Sequence, residues 1–217
     1  MNTQRLLLQN KNAGGHSIKL FGNEFLVHKG VFSPVIFSDA YFLAIALRKH
    51  IHNDMHSFLE IGCGSGIASV CVGINRDIHV VASDISEQAR DNTHVNLINF
   101  AIEHEAVTSN LFENISKEKT FDAIYWNHPF NNGETSDVLD HAVYDNDYES
   151  LRQFLIDAPA YLNESGRIYL GTSSLCAYDL EKNFSDVYTF DVLNVGESQN
   201  RPGVVLKIVC MELNKKI

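Results

Sequence analysis

With 217 residues, of which 45% are hydrophobic and 20% charged, the chain suits one soluble domain with a single sizeable core, and two full domains would be cramped. No apolar run approaches the length of a membrane span and Met1 to Asn12 does not read as a signal peptide, so cytoplasmic residence is the expectation. A formal net charge of −10, with no basic stripe other than Lys215-Lys216, makes a nucleic-acid partner unlikely and favours a small molecule or a protein side chain.

Four cysteines, Cys63, Cys71, Cys176 and Cys210, form no C-x-x-C pair and no zinc-like spacing, and the ten histidines are scattered singly, so neither a disulfide framework nor a metal site is expected. No repeat or low-complexity linker interrupts the chain.

Along the chain, Ile18–Phe21 and Glu24–Val27 around Gly22-Asn23 predict a β-hairpin with turn chemistry close to type I′, serving as a lid or flap. Residues 1–33 are read as this hairpin extension and 34–217 as the main domain. After Pro34, Ser38 and Asp39 cap a predicted helix over Ala40–His52. Strands and helices then alternate. Ser57–Ile61 is a strand, Ile67–Ile74 a short buried helix, Ile78–Ala82 a strand, and Ser86 caps an amphipathic helix to Asn99. Strands follow near Glu105–Thr108 and over Phe121–Trp126, then a helix over Tyr148–Leu162 that Gly166 stops, and a strand over Arg167–Gly171. Val187–Val195 and Val204–Leu213 close the chain as an antiparallel hairpin. Such alternation implies a parallel sheet with helices on both faces, which binds ligands beyond the carboxyl ends of its strands.

The strand ends are where the chemistry concentrates. Glu60-Ile61-Gly62-Cys63-Gly64-Ser65-Gly66 places three glycines at two-residue intervals behind an acid, so a tight bend can turn its amides toward a ligand. The spacing differs from the G-x-G-x-x-G dinucleotide fingerprint and from the P-loop. Asp84, at the next strand end, can accept both hydroxyls of a ribose. Asn110, after the third strand, can reach the exocyclic amine of an adenine, although asparagine is also common in turns for local reasons. Asn127-His128-Pro129-Phe130 is a polar-Pro-aromatic turn in which Asn127 offers both an acceptor and a donor to a planar nitrogen, and Phe130 can stack on that group as positive charge develops.

Together these residues resemble the class I S-adenosylmethionine-dependent methyltransferases, in the small-domain group related to the release-factor glutamine and ribosomal guanine methyltransferases. Glu60 to Gly66 is similar to the first motif of that group, Asp84 to the second, Ser109-Asn110-Leu111-Phe112 to the third, and Asn127 to Phe130 to the catalytic Asn-Pro-Pro-aromatic motif. Val31-Phe32-Ser33-Pro34 looks like the segment before the first core helix of the group. The resemblance implies a Rossmann-like, doubly wound, seven-stranded sheet, mostly parallel with a C-terminal antiparallel hairpin. It implies S-adenosylmethionine as cofactor, held by Glu60, Gly62, Cys63, Gly64, Ser65, Gly66, Asp84, Ile85, Asn110, Leu111 and Asn127, with Asn127, His128, Pro129 and Phe130 catalytic. Two positions depart from it: Asn110 stands where aspartate is common, and His128 replaces the first proline, offering a titratable ring that could act as a base near neutral pH. Methyl transfer to nitrogen is the leading expectation. Aminocarboxypropyl transfer or cyclisation from the same cofactor, a nicotinamide oxidoreductase and a noncatalytic binding module are the alternatives.

Overall fold

Strands buried on both faces form the centre of the structure, a computed structural model that describes residues 2–214; the Lys215-Lys216 pair lies outside them. An N-terminal helix not anticipated from the sequence, α1 (Thr3–Asn12), is capped by Asn2, whose Oδ1 accepts from the Arg5 N–H at 2.9 Å, and it buries Leu6 and Leu7. The hairpin β1 (His16–Leu20) and β2 (Asn23–Val27) follows. Its turn is centred on Phe21 and Gly22, with φ of 49° and 88°, one residue earlier than the expected Gly22-Asn23. A type I′ turn needs two positive φ values, and here a phenylalanine takes one of them.

Next come α2 (Ser38–His50), β3 (Ser57–Ile61), α3 (Ile67–Gly73), β4 (His79–Asp84), α4 (Glu87–Asn99), β5 (His104–Thr108) and β6 (Phe121–Asn127). The predicted caps fare differently. Ser86 caps α4 by accepting from the Ala89 N–H at 3.3 Å. Ser38 and Asp39 do not cap α2, whose N-cap position is Phe37 and carries no side-chain cap, and Asp39 turns inward to Arg201. Two short strands, β7 (Asn131–Asn132) and β8 (Tyr144–Asp145), pair with each other and pin the segment after β6. Then come α5 (Glu149–Asp157), β9 (Leu162–Ser173), α6 (Leu180–Phe184), β10 (Tyr188–Glu197) and β11 (Val205–Leu213).

The helix expected over Tyr148–Leu162 ends as an α-helix at Asp157 and continues as a 3-10 turn over Ala158–Tyr161, where Pro159 supplies no N–H to continue the α ladder. Gly166 does not stop that helix. It lies within β9 at an irregularity opposite Phe121, where a Cβ would come within 2.6 Å of the Phe121 carbonyl oxygen, so glycine is required by close backbone approach.

The main sheet has seven strands in the order β10-β11-β9-β6-β3-β4-β5. The five strands from β9 to β5 run parallel, and β11 and β10 add an antiparallel edge, as expected. Alternate residues feed two cores: Phe58 and Val80 pack with α2, α3 and the hairpin, while Leu59, Ile61 and Val81 pack with α5. The chain winds outward in opposite directions from β3 and β6, which are neighbours with Ile61 opposite Trp126. Their carboxyl ends therefore flank the crevice of the switch point.

The hairpin is not a free flap. Leu20, Phe25 and Val27 are buried in the core, and α4 clamps β2: Asn96 Oδ1 accepts from the Leu26 N–H and Asn92 Oδ1 from the His28 N–H, both at 2.8 Å. Among the described residues no helix is long and apolar enough to cross a membrane.

Candidate active site

A cavity of about 430 Å³ opens at the carboxyl ends of β3, β4, β5 and β6. Its floor is the glycine loop. Gly62, Gly64 and Gly66 have φ of 62°, 56° and 84°, so all three occupy the left-handed region that a side chain would strain. The Gly66 N–H donates to the Cys63 carbonyl at 2.7 Å and closes the bend into α3, while the Cys63 N–H donates to Ser83 of the neighbouring strand at 2.9 Å. From α4, Thr93 Oγ1 and Asn96 Nδ2 hold the carbonyls of Gly64 and Ser65 at 3.0 and 2.8 Å. Gly66 packs against Thr93 and contributes no surface to the cavity, in contrast with the other predicted loop residues Glu60, Gly62, Cys63, Gly64 and Ser65.

Asp84 braces this loop. Its Oδ2 accepts from the Gly64 N–H and its Oδ1 from the Ser86 N–H, each at 2.8 Å. A carboxylate oxygen has more than one acceptor direction, so both oxygens keep capacity for a ligand. Burial raises the Asp84 carboxyl above its ordinary pKa against the opposing effect of these two amides. Beside it, Ile85 is 46% exposed and lines the cavity, an apolar surface left open where a planar apolar group can rest. Opposite, Leu111 is held at a φ of 48°, and Ser109 Oγ donates to its carbonyl at 2.9 Å. The Asn110 amide nitrogen donates to Glu113 at 3.1 Å, which leaves Oδ1 as the acceptor on that side chain.

Glu60 is buried against α3, where Ser69 donates to its Oε2 from both the backbone N–H, at 2.8 Å, and the hydroxyl. Burial pushes its carboxyl up to about 8, opposed by the Ser69 hydrogen bonds and aided by the charge of Asp84. A raised carboxyl pKa favours the folded state in acid. The contribution of Glu60 to stability is therefore fully present below about pH 4.5 and is lost as pH rises toward about 8. Glu60→Gln should flatten that slope in urea denaturation at pH 5 and 8; an unchanged slope would assign the pH dependence to other groups.

On the acceptor side, Asn127 and Pro129 line the cavity with Tyr125, Trp126 and Tyr144. Asn127 and Tyr125 project to the same face, over Gly171 of β9: a Cβ there would lie 2.8 Å from Asn127 Oδ1 and 2.9 Å from the Tyr125 hydroxyl. Both of these polar atoms are buried without a protein partner.

His128 and Phe130 do not line this cavity, which corrects two sequence expectations. His128 is 1% exposed, its Nε2 sits 3.0 Å from Thr172 Oγ1, and burial pushes its pKa down to about 4. At neutral pH it is an uncharged packing group turned away from the cavity, not a poised base. The Phe130 ring is buried and already carries the Arg201 guanidinium 5.7 Å from its centroid, so it is not free to stack on an acceptor. Asn127 and Pro129 border the main cavity, while His128 and Phe130 border only the smaller one behind the turn.

The segment from Phe130 to Asp147, rich in Asn, Gly and acids and expected from the sequence to shape the substrate site together with the hairpin, supplies a wall through Val138, Leu139, His141, Ala142 and Tyr144, individual residues that no motif singled out. Besides the β7–β8 pairing, contacts far apart in the chain put it there. Lys11 of α1 pairs with Asp137 at 2.6 Å and with Asp140 at 2.5 Å, while Leu6 and Leu7 pack with Val143 and Phe37. Gly30, Val31 and Phe32, rather than the hairpin itself, supply the N-terminal edge. Among the described residues no group of His, Cys, Asp or Glu side chains is placed to hold a metal ion.

The profile of a family described as the methyltransferase small domain matches residues 22–192. No curated protein matches the chain. Among solved structures, it is similar to the T. thermophilus 16S rRNA N2 G1207 methyltransferase (RsmC) in complex with AdoMet and guanosine, with a TM-score of 0.68 and 22% identity, covering 92% of this chain and 50% of that one. It is similar to an M. jannaschii tRNA m1G37 methyltransferase, with a TM-score of 0.65 and 17% identity over 94% of this chain and 58% of that one. A ribosomal protein L11 methylase from Lactobacillus delbrueckii subsp. bulgaricus gives a TM-score of 0.59 and 16% identity, over 87% of this chain and 84% of that one. The chain thus spans about half the length of the two RNA methyltransferases. These neighbours overturn the expectation that a nucleic-acid partner is unlikely. One fold serves rRNA and tRNA methyltransferases, and the positive charge that meets phosphate need not sit on the part that binds the cofactor, so a net charge of −10 does not exclude RNA.

Proposed function

The chain belongs to the methyltransferase small-domain family, and from that premise we propose that it methylates a planar nitrogen, an exocyclic amine or a carboxamide, held beside Asn127. The observation that carries this reading is a single cavity uniting the glycine loop, Asp84, Ile85, Asn110, Leu111 and Asn127 at the switch point of the sheet. The residues present fit S-adenosylmethionine. The left-handed glycines leave a cradle without side chains for its amino-acid part, Asp84 retains acceptor capacity for ribose hydroxyls, and Ile85 and Leu111 offer apolar surfaces for adenine, with Asn110 Oδ1 as acceptor for its amine. Bound there, the cofactor supplies an electrophilic methyl carbon on a positively charged sulfur.

This chain's own contribution is placement. Asn127 accepts an N–H of the acceptor and so directs the nitrogen lone pair into the cavity, while Pro129 and the β6 backbone fix where the side chain starts. An amide-type nitrogen loses nucleophilicity through conjugation, and an acceptor held on its N–H recovers part of it as positive charge develops. Tyr144, which lines the same cavity, offers the aromatic surface that Phe130 does not.

Calorimetric titration with S-adenosylmethionine, followed by tritium transfer from its labelled methyl group to RNA, protein and small-molecule fractions of a heterologous extract, tests the proposal. We expect cofactor binding, label in one fraction, and S-adenosylhomocysteine as the product. Methylthioadenosine would establish aminocarboxypropyl chemistry instead, and failure to bind S-adenosylmethionine would remove the reading altogether.

A further inference from the structure

Behind the Asn127–Phe130 turn lies a second set of polar side chains, outside the main cavity. Arg201, in the connection between β10 and β11, is 6% exposed, and Asp39 of α2 is 5% exposed. The Arg201 Nε donates to Asp39 Oδ2 at 3.1 Å, Nη2 donates to the same oxygen, and Nη1 donates to Thr3 Oγ1 at 3.3 Å. The same guanidinium covers the Phe130 ring. Phe130 in turn meets His128 edge-on at 5.7 Å, and His128 is tied to Thr172 of β9. One side chain thus joins α1, α2 and the turn that carries Asn127.

Stability alone does not account for such a pair. Desolvating two charges offsets most of their attraction, and well-packed apolar replacements for a buried pair are often neutral or stabilising. Arg201 also lies beyond residues 22–192, the part that matches the family. A small cavity of about 20 Å³ is lined by Asp39, Arg201, Asn127, His128 and Phe130. Asp39 Oδ1 and His128 Nδ1 are buried without protein partners, and the space has room for one water.

We propose that Arg201 and Asp39 are positioning residues for the Asn127–Phe130 turn: Asp39 fixes the guanidinium, the guanidinium fixes the Phe130 ring, and the turn thereby holds Asn127 toward the main cavity. The purpose of this arrangement rests on the methyl-transfer reading, but its geometry is testable without turnover. The Asn127 side-chain amide resonances, assigned through an Asn127→Asp variant, are followed by NMR in the free protein and with S-adenosylhomocysteine. The variants are Arg201→Lys, Arg201→Met and Asp39→Leu combined with Arg201→Met. Arg201→Met leaves Asp39 buried and unpaired and can fail to fold. The double replacement removes both charges and should keep or raise the urea midpoint.

In the double variant we expect the Asn127 amide signals to shift and broaden while the Gly62 and Gly64 amides stay in place and affinity for S-adenosylhomocysteine changes by no more than about twofold. Arg201→Lys, which keeps a cation paired with Asp39, should return the Asn127 signals to their original positions. Unmoved Asn127 signals in the double variant would overturn the proposal, as would signals in Arg201→Lys that move as far as those of the double variant. The two readings fail separately: a wild-type protein that does not bind S-adenosylhomocysteine removes the methyl-transfer reading, while the Asn127 signals of the free proteins still decide the role of Arg201.

Discussion

Asp84→Ala should weaken S-adenosylmethionine binding by about 10²–10⁴-fold, the loss that follows from removing two charge-assisted hydrogen bonds of about 1.5–3 kcal/mol each. The loss has two origins. The ribose loses its acceptor, and the Gly64 and Ser86 N–H groups, each now 2.8 Å from a carboxylate oxygen, lose theirs, so the glycine loop is no longer held in its binding shape. Asp84→Asn separates these contributions. An amide has a single oxygen, so one of the two backbone N–H groups must face an NH₂ group, and the variant should bind hardly better than alanine. Titration calorimetry on both variants, with urea midpoints to exclude general unfolding, measures the effect. Wild-type affinity in the alanine variant would mean that the cofactor lies elsewhere.

Much of this arrangement was legible from residues 57–130 alone, because there the determinants are local. Glycine takes positive φ with the least strain, and Gly62, Gly64 and Gly66 all do so. An apolar strand ending in an acid has few positions in a parallel sheet, and Asp84 sits at the end of β4 as read. Legibility declined where a side chain's direction depends on partners distant in the chain. Asp39 reads as a helix cap, yet it points inward because Arg201, 162 residues later, supplies the charge that makes its burial tolerable. His128 and Phe130 lie in the motif read from the sequence but border the smaller cavity behind the turn, where Thr172 and Arg201, both distant in the chain, hold them. The Val138–Tyr144 wall carries no motif at all and takes its place through Lys11 and the apolar face of α1. Net charge misled for a related reason: it sums over the whole surface and says nothing of how one face meets a partner.

Asn127→Ala should reduce kcat by about 10²–10³-fold, the loss seen when one preorganised polar contact to a reacting group is removed, and should leave cofactor affinity nearly unchanged. The separation of the two effects follows from the structure. The glycine loop and Asp84 are braced by Gly64, Ser86, Thr93 and Asn96, and none of those hydrogen bonds passes through Asn127. Gly171→Ala provides a second approach that leaves the asparagine in place. Its new methyl group would lie 2.8 Å from Asn127 Oδ1, against a side chain rooted in the β6 backbone, so the amide must rotate and the acceptor must move with it. Rates of S-adenosylhomocysteine release, on the acceptor fraction that takes up label, should fall in both variants. If Asn127 merely fills space, alanine at 127 would relieve the contact with Oδ1, leaving the Tyr125 hydroxyl 2.9 Å from the new methyl group, and the double variant would recover part of the activity lost in Gly171→Ala. If Asn127 holds the acceptor nitrogen, the double variant should be no faster than Asn127→Ala, because the group that Gly171 accommodates is the one on which transfer depends.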